Sequence, residues 1–279
     1  LSLSAAIRDP LRKIGEQADG DINLAEAALA IAAADRPRAG LEPYRRHLAQ
    51  MAQEVAVHAG SSRGASDLDG QIEALSHVVC RRYGYGCDAE TFDEMEAANL
   101  MRVIDSRRGL PVVLGILYIH AARAQGWTMA GLDFPLHFLV RLEHAGERRI
   151  LDPASGLRVM EPAELRALLK AAAGNEAELA PAHYAAMDNR AILYRMQNNV
   201  KIRQLRTGQL EDALQTIETM ALFAPDAAEL WREAGLVNAR LDNFGAAVTA
   251  LEEFLRRGGD PAARREAQEL LQRLRARLN

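Results

Sequence analysis

Apolar residues in the first part of the chain recur at the spacing of helix faces. Leu24, Ala27, Ala28 and Ile31 share one stripe, opened by Asn23 and Glu26 in an N-x-x-E capping pattern. Tyr44, Leu48, Met51 and Val55 form a second, with Pro43 suited to its first turn and Gly60 at its end. Leu68, Ile72, Leu75, Val79 and Tyr83 form a third, which stops at Gly84. Ser61-Ser62-Arg63-Gly64 reads as a loop and Gly84-Tyr85-Gly86-Cys87 as a turn.

The stretch from Pro111 to Gln125 is apolar nearly all round, which predicts a central buried helix with Pro111 at its start and Gly126 past its end. Then the period changes. Leu136–Glu143 and Arg148–Asp152 read as two strands joined by His144-Ala-Gly-Glu147, and Trp127–Phe134 supplies a further strand. Pro162 opens a short helix with Leu165, Leu168 and Leu169.

The C-terminal part repeats. Displaced by 34 residues, Leu205–Asp226 falls on Ala239–Asp260, matching Ala213 with Ala247 and Ile217 with Leu251. A helix–turn–helix unit of that period is the tetratricopeptide signature. Trp231 and Gly235 stand at its expected spacings in the second copy, where the first has Gln197 and Lys201. A last helix, Pro261–Leu278, caps one end, and the preceding domain is expected to cap the other. The stacked helices predict a concave peptide-docking groove. The fold class is therefore α+β and mostly α. Residues 1–185 form a helical segment plus a mixed core, and residues 186–279 a repeat domain.

Composition changes this picture little. Hydrophobic residues make up 49% and charged residues 26%, ordinary for a globular chain. The net charge of −4 argues against a nucleic-acid binder. No apolar run is long enough for a membrane span, and no signal-peptide pattern opens the chain. The chain begins at Leu1 without methionine, so an initiating segment is expected to be missing. Two cysteines, Cys80 and Cys87, give no disulfide framework and no zinc motif, so a reducing cytoplasmic setting with no cofactor and no metal is expected.

Candidate chemistry lies around the buried helix. If the two strands form a hairpin closed by residues 144–147, Asp152 faces Leu139. His137 then stands diagonal to Asp152 on the same face. An aspartate beside an imidazole is the orienter of a nucleophile–base–orienter triad. The nucleophile of such a triad gains from a helix N-terminus, where the dipole lowers a thiol pKa. Arg107 and Arg108 precede that terminus and could meet an anionic group. Tyr118 lies on the helix, more as core than as ligand. His120 is expected to be buried with a hydrogen-bond partner, and Cys87, Ser106 and Ser155 are weak candidates for a displaced nucleophile.

Arg107-Arg108-Gly109-Leu110-Pro111, Gly115-Ile-Leu-Tyr118, Phe134-Pro-Leu-His137-Phe-Leu-Val-Arg141 and Leu151-Asp-Pro153 resemble the bacterial SirB-type proteins. These join a transglutaminase-like domain to tetratricopeptide repeats. The resemblance covers nearly the whole chain and implies a papain-like core, with a helix packed on a small antiparallel sheet. It also implies His137 and Asp152 as the last two members of a Cys–His–Asp set. The first member departs. Counting back from Gly126, with Gly115 as the small residue of the pattern, puts Pro111 at the cysteine position, as this family commonly has it. Leu136 stands where glycine usually precedes the histidine, and is expected to narrow the cleft.

Three functions follow. One is a non-catalytic module binding a protein or peptide through the repeat groove and a degenerate cleft, with His137 and Asp152 as a remnant dyad and Arg107, Arg108 and Tyr118 as binding residues. Another is a hydrolase or acyltransferase using His137 and Asp152 with an unrecognised nucleophile. The third is a pure repeat adaptor. The retained His and Asp favour the first two over the third, and the missing thiol favours the first over the second. The oligomeric state is not readable.

Overall fold

The apolar stripes fold as helices in this protein, seen in a computed structural model that describes residues 3–61 and 67–278. The first helices are α1 (Ala5–Glu16), α2 (Leu24–Asp35), α3 (Glu42–Ser61) and α4 (Leu68–Leu75). The loop expected from Ser61 onward lies, beyond Ser61 itself, outside the described residues. α5 (Leu100–Ser106) and α6 (Pro111–Arg123) precede the strands β1 (Thr128–Phe134), β2 (His137–His144), β3 (Glu147–Asp152) and β4 (Arg158–Val159). Then come α7 (Pro162–Ala173), α8 (Asn189–Arg206), α9 (Leu210–Phe223), α10 (Ala228–Arg240), α11 (Phe244–Arg257) and α12 (Pro261–Leu278).

The chain packs into two units. Ile22–Met196 forms one, and the segments before and after it form the other. This division falls inside α8, whereas the sequence suggested residue 185, and it assigns α1 to the repeats. α1 packs on α9, where a Cβ on Gly15 would lie 2.3 Å from the carbonyl oxygen of Leu222.

Within Ile22–Met196, α6 is the axis of the core. Every residue from Val112 to Ile119 is buried, as its uniformly apolar sequence requires. Asn23 caps α2 by accepting a hydrogen bond from the Glu26 N–H. The third stripe departs from expectation: α4 continues as a π-helix over Ser76–Arg82, a change that a 3.6-residue stripe does not announce. Gly86 pairs with Arg108 as an isolated bridge, so the expected turn at Gly84–Cys87 is in part an extended segment.

The sheet has the order β1-β2-β3-β4, antiparallel throughout. The β2–β3 register is the one the hairpin predicts, from Glu143 opposite Arg148 to Val140 opposite Leu151. Ala145 and Gly146 close it at φ 49° and 84°, the left-handed pair that a two-residue hairpin favours. α6 packs on β1 and β2, with Phe138 against Gly115. The opposite face carries Leu132, Phe134 and Leu139, which pack with Leu165 and Leu169 of α7.

In the repeat unit the 34-residue offset is structural. Ala213 and Ala247, Ile217 and Leu251, and Met220 and Phe254 are all buried. Gly208 and Asp242 are also 34 apart, and both turn the chain at positive φ, 75° and 57°. Gly235 brings α10 against Leu251, where a Cβ would lie 2.6 Å from Cγ. Its counterpart Lys201 is buried and pairs with Glu233. Trp231 packs on the α11–α12 cluster, with the Arg257 guanidinium 5.1 Å from its ring centre.

Candidate functional site

The start of α6 is built by the Arg107–Pro111 motif. Arg107 ends α5 at φ 65°, its N–H bonding the Val103 carbonyl. Gly86 donates to the Arg107 carbonyl, and Gly109 donates back to Gly86. Gly109 is glycine because a Cβ there would lie 2.7 Å from Val103 Cγ1. Leu110 is the N-cap of α6, and Pro111 takes the first helical position, where a missing N–H costs nothing. Proline has no thiol or hydroxyl to offer at this terminus.

The pairing of Gly86 also brings Cys87 beside the residues that open α6. Its thiol donates to the Asp88 carbonyl at 3.8 Å. Burial, then Asp88 and Asp152, push its pKa up to about 11, with Arg108 opposing. The group is therefore held as a thiol, the unreactive form.

His137 opens β2 opposite Phe134 and is exposed. By the alternation of the pleat it shares the face of Phe134 and Leu139, while its neighbour Phe138 faces α6. The β2–β3 ladder ends at Val140–Leu151, one pair short of Asp152. The Asp152 carboxylate accepts from the Ala154 N–H at 2.9 Å and the Ser155 hydroxyl at 2.7 Å, forming the turn that follows. Among the described residues no hydrogen bond joins it to His137. Ser106 bonds to Arg108 within its own loop.

Leu136, expected to narrow a cleft beside the histidine, stands at φ 60° and is 81% exposed. Tyr118, grouped with the binding residues, is sealed in the core at 1% exposure. Its hydroxyl has no partner among the described residues, and burial, followed by Cys80 and Asp152, raises its pKa. His120 is largely buried, with Nε2 3.3 Å from the Leu48 carbonyl, the partner expected of it.

The two arginines diverge. Arg108 is exposed and lies 3.6 Å from Asp88. Arg107 enters a cleft of about 520 Å³ lined by Gly40, Pro43, Tyr44, His47, Ile104 and Asp105 among others. Its guanidinium donates to His47 Nε2 at 3.0 Å and to the Tyr85 hydroxyl, and lies 4.8 Å from the Tyr85 ring centre. Burial and then Arg107 lower the His47 pKa to about 4, so this imidazole is neutral. Asp105 is held by Arg36 and Tyr44. Sequence reading missed His47 and Tyr85. The Tyr83-Gly-Tyr85 triplet was a signal for the aromatic wall, but nothing in the chain links position 47 to it.

On the repeats, Ile202 and Leu236 are both 39% exposed and 34 residues apart. Leu270 continues the series on α12, half-buried.

Residues 42–198 match the transglutaminase-like superfamily and residues 200–272 the tetratricopeptide repeat. A UPF0162 protein of Vibrio cholerae is 29% identical over 244 residues, covering 87% of this chain and 89% of its own. A UPF0162 protein of Pseudomonas aeruginosa is 29% identical over 241 residues, covering 85% and 86%. Protein SirB1 of Salmonella typhimurium is 25% identical over 188 residues, covering 67% and 70%. No solved structure matches.

Proposed function

The chain belongs to the transglutaminase-like superfamily, with tetratricopeptide repeats after that domain, and from this premise we propose that it binds a protein or peptide and does not catalyse acyl transfer. The observation that carries the reading is Pro111 at the first position of α6, where the resemblance implies the nucleophilic cysteine. A triad without its nucleophile keeps only a small residual rate. The protonated state of Cys87, the exposure of His137 and the use of Asp152 as a turn former all support it.

Two surfaces are available to a partner. The exposed Ile202 and Leu236 offer apolar contacts at one repeat period, and the cleft at Arg107 offers a guanidinium set between aromatic rings. Free cysteines are consistent with a reducing cytoplasmic setting. Among the described residues no helix is long and apolar enough to cross a membrane.

The test has two arms. Purified protein should hydrolyse an activated aryl ester no more slowly after iodoacetamide treatment than before, and Cys87→Ser should leave the rate unchanged. Thiol-sensitive turnover lost in Cys87→Ser would establish an enzyme and reject this reading. In the second arm, partners captured by the immobilised full chain should be lost with Leu236→Asp. Capture that is indifferent to Leu236→Asp and Ile202→Asp would exclude the repeat surface.

A further inference from the structure

We propose that His58, Glu73 and His77 form a binding site for one divalent transition cation of the zinc class. His58 lies in the last turn of α3, Glu73 on α4 and His77 one turn further on, in the π-helical continuation. Glu73 and His77 are four residues apart, a spacing that places two side chains on one helix face. Their ligating atoms and that of His58 all lie within 4.8 Å of one another. The two imidazole rings are in contact, with centres 4.1 Å apart and planes 14° from parallel.

Neutral imidazole is the form that binds metal. Two nitrogens and one carboxylate oxygen suit a borderline cation such as Zn²⁺, with a fourth position left for water. Mg²⁺ and Ca²⁺ prefer oxygen ligands alone and fit this set poorly.

Glu73 pairs with Arg81, so a cation must displace a guanidinium. Zinc ligands stand about 2.0–2.2 Å from the ion, so the three side chains must draw together. A metal also lies in the plane of each imidazole that binds it, so one ring must turn out of the stack. Glu73 is exposed and the histidines are half-buried, which leaves room for both movements.

The experiment uses the full chain after chelator treatment, titrated with Zn²⁺ by calorimetry and with Co²⁺ by visible absorption. One ion per chain is expected, at or below roughly 10 μM, with Co²⁺ bands of a four-coordinate nitrogen and oxygen site. Excess Mg²⁺ should not compete. His58→Ala, His77→Ala and Glu73→Gln should each weaken binding by at least about 10-fold, the least that even loss of a supporting contact around a metal typically costs. Arg81→Ala should tighten it by freeing the carboxylate, and Cys80→Ser and Cys87→Ser should change nothing. If a histidine variant fails to fold by circular dichroism, the opposite responses of Glu73→Gln and Arg81→Ala, both at exposed positions, decide the matter. No saturable binding, binding that survives loss of both histidines, or binding that follows the cysteines overturns the proposal.

Discussion

The ring of Phe138 occupies the space beside Gly115 that any larger residue would need. A Cβ on Gly115 would lie 2.3 Å from Cε1 of that ring, and one on Gly131 would lie 2.7 Å from its Cζ. One aromatic ring thus sets the spacing between α6 and the sheet. Glycine within a helix costs about 1 kcal/mol against alanine, and the close packing it permits here offsets that cost.

Gly115→Ala should therefore destabilise the protein, by about 1–3 kcal/mol, because the added methyl overpacks the contact. Urea unfolding measures this. In a Phe138→Leu background the same change should cost less, and equal costs in the two backgrounds would show that the ring is not the obstacle.

Leu136 is held at φ 60°, a conformation that costs a non-glycine residue about 1–2 kcal/mol. Its side chain, almost wholly in solvent, gains little packing in return. Leu136→Asn should raise the melting temperature, since asparagine tolerates that backbone. Leu136→Val should lower it, because a branched Cβ does not.

Acid should weaken the Arg107 cleft. The folded-state pKa of His47 is about 4, below the usual 6.5, so the unfolded chain binds the extra proton more readily. This contribution is intact above pH 6.5 and is lost as the pH falls through 6.5 towards 4. Melting temperatures measured across that window should fall with pH for the native chain and fall less for His47→Gln. Parallel profiles would remove His47 from the account.

In the repeats, Lys201 is nearly buried while Glu233 keeps a side chain 27% exposed. Glu233→Ala withdraws a carboxylate from a buried ammonium, whereas Lys201→Met leaves a carboxylate that water can reach. The first should cost more stability than the second, since the nearly buried ammonium loses a carboxylate that water cannot replace, while the Glu233 carboxylate stays within reach of water. Chemical denaturation of both variants makes the comparison, and the reverse order would count against it.

Much of the architecture was legible because it rests on local rules. The β2–β3 register followed from one turn, and the repeat from a 34-residue offset. Pro111, Gly126 and the apolar run between them marked α6 almost to its ends. What escaped depends on geometry that spacing does not encode. The π-helix at Ser76–Arg82 leaves no mark in a 3.6-residue stripe, and the two-residue β4 is too short to show a period. His137 and Asp152 share a face by register, yet the ladder stops before Asp152, whose carboxylate turns to its own downstream backbone. His47 and Arg107 meet across sixty positions, with no local signal to join them.

The packing of α1 on α9 sets an order of events in folding. Gly15 and Leu222 come together only after the whole of Ile22–Met196 has been spanned, so this contact closes the longest loop in its unit. The hairpins α8–α9 and α10–α11 close over a few residues and form without it. The first helix is thus the last piece to dock. Until it does, the side of α9 that α1 covers stays bare. A shortened chain starting at Ile22 would keep every residue of the family match and still carry a sticky repeat unit, prone to self-association for want of twelve residues of helix.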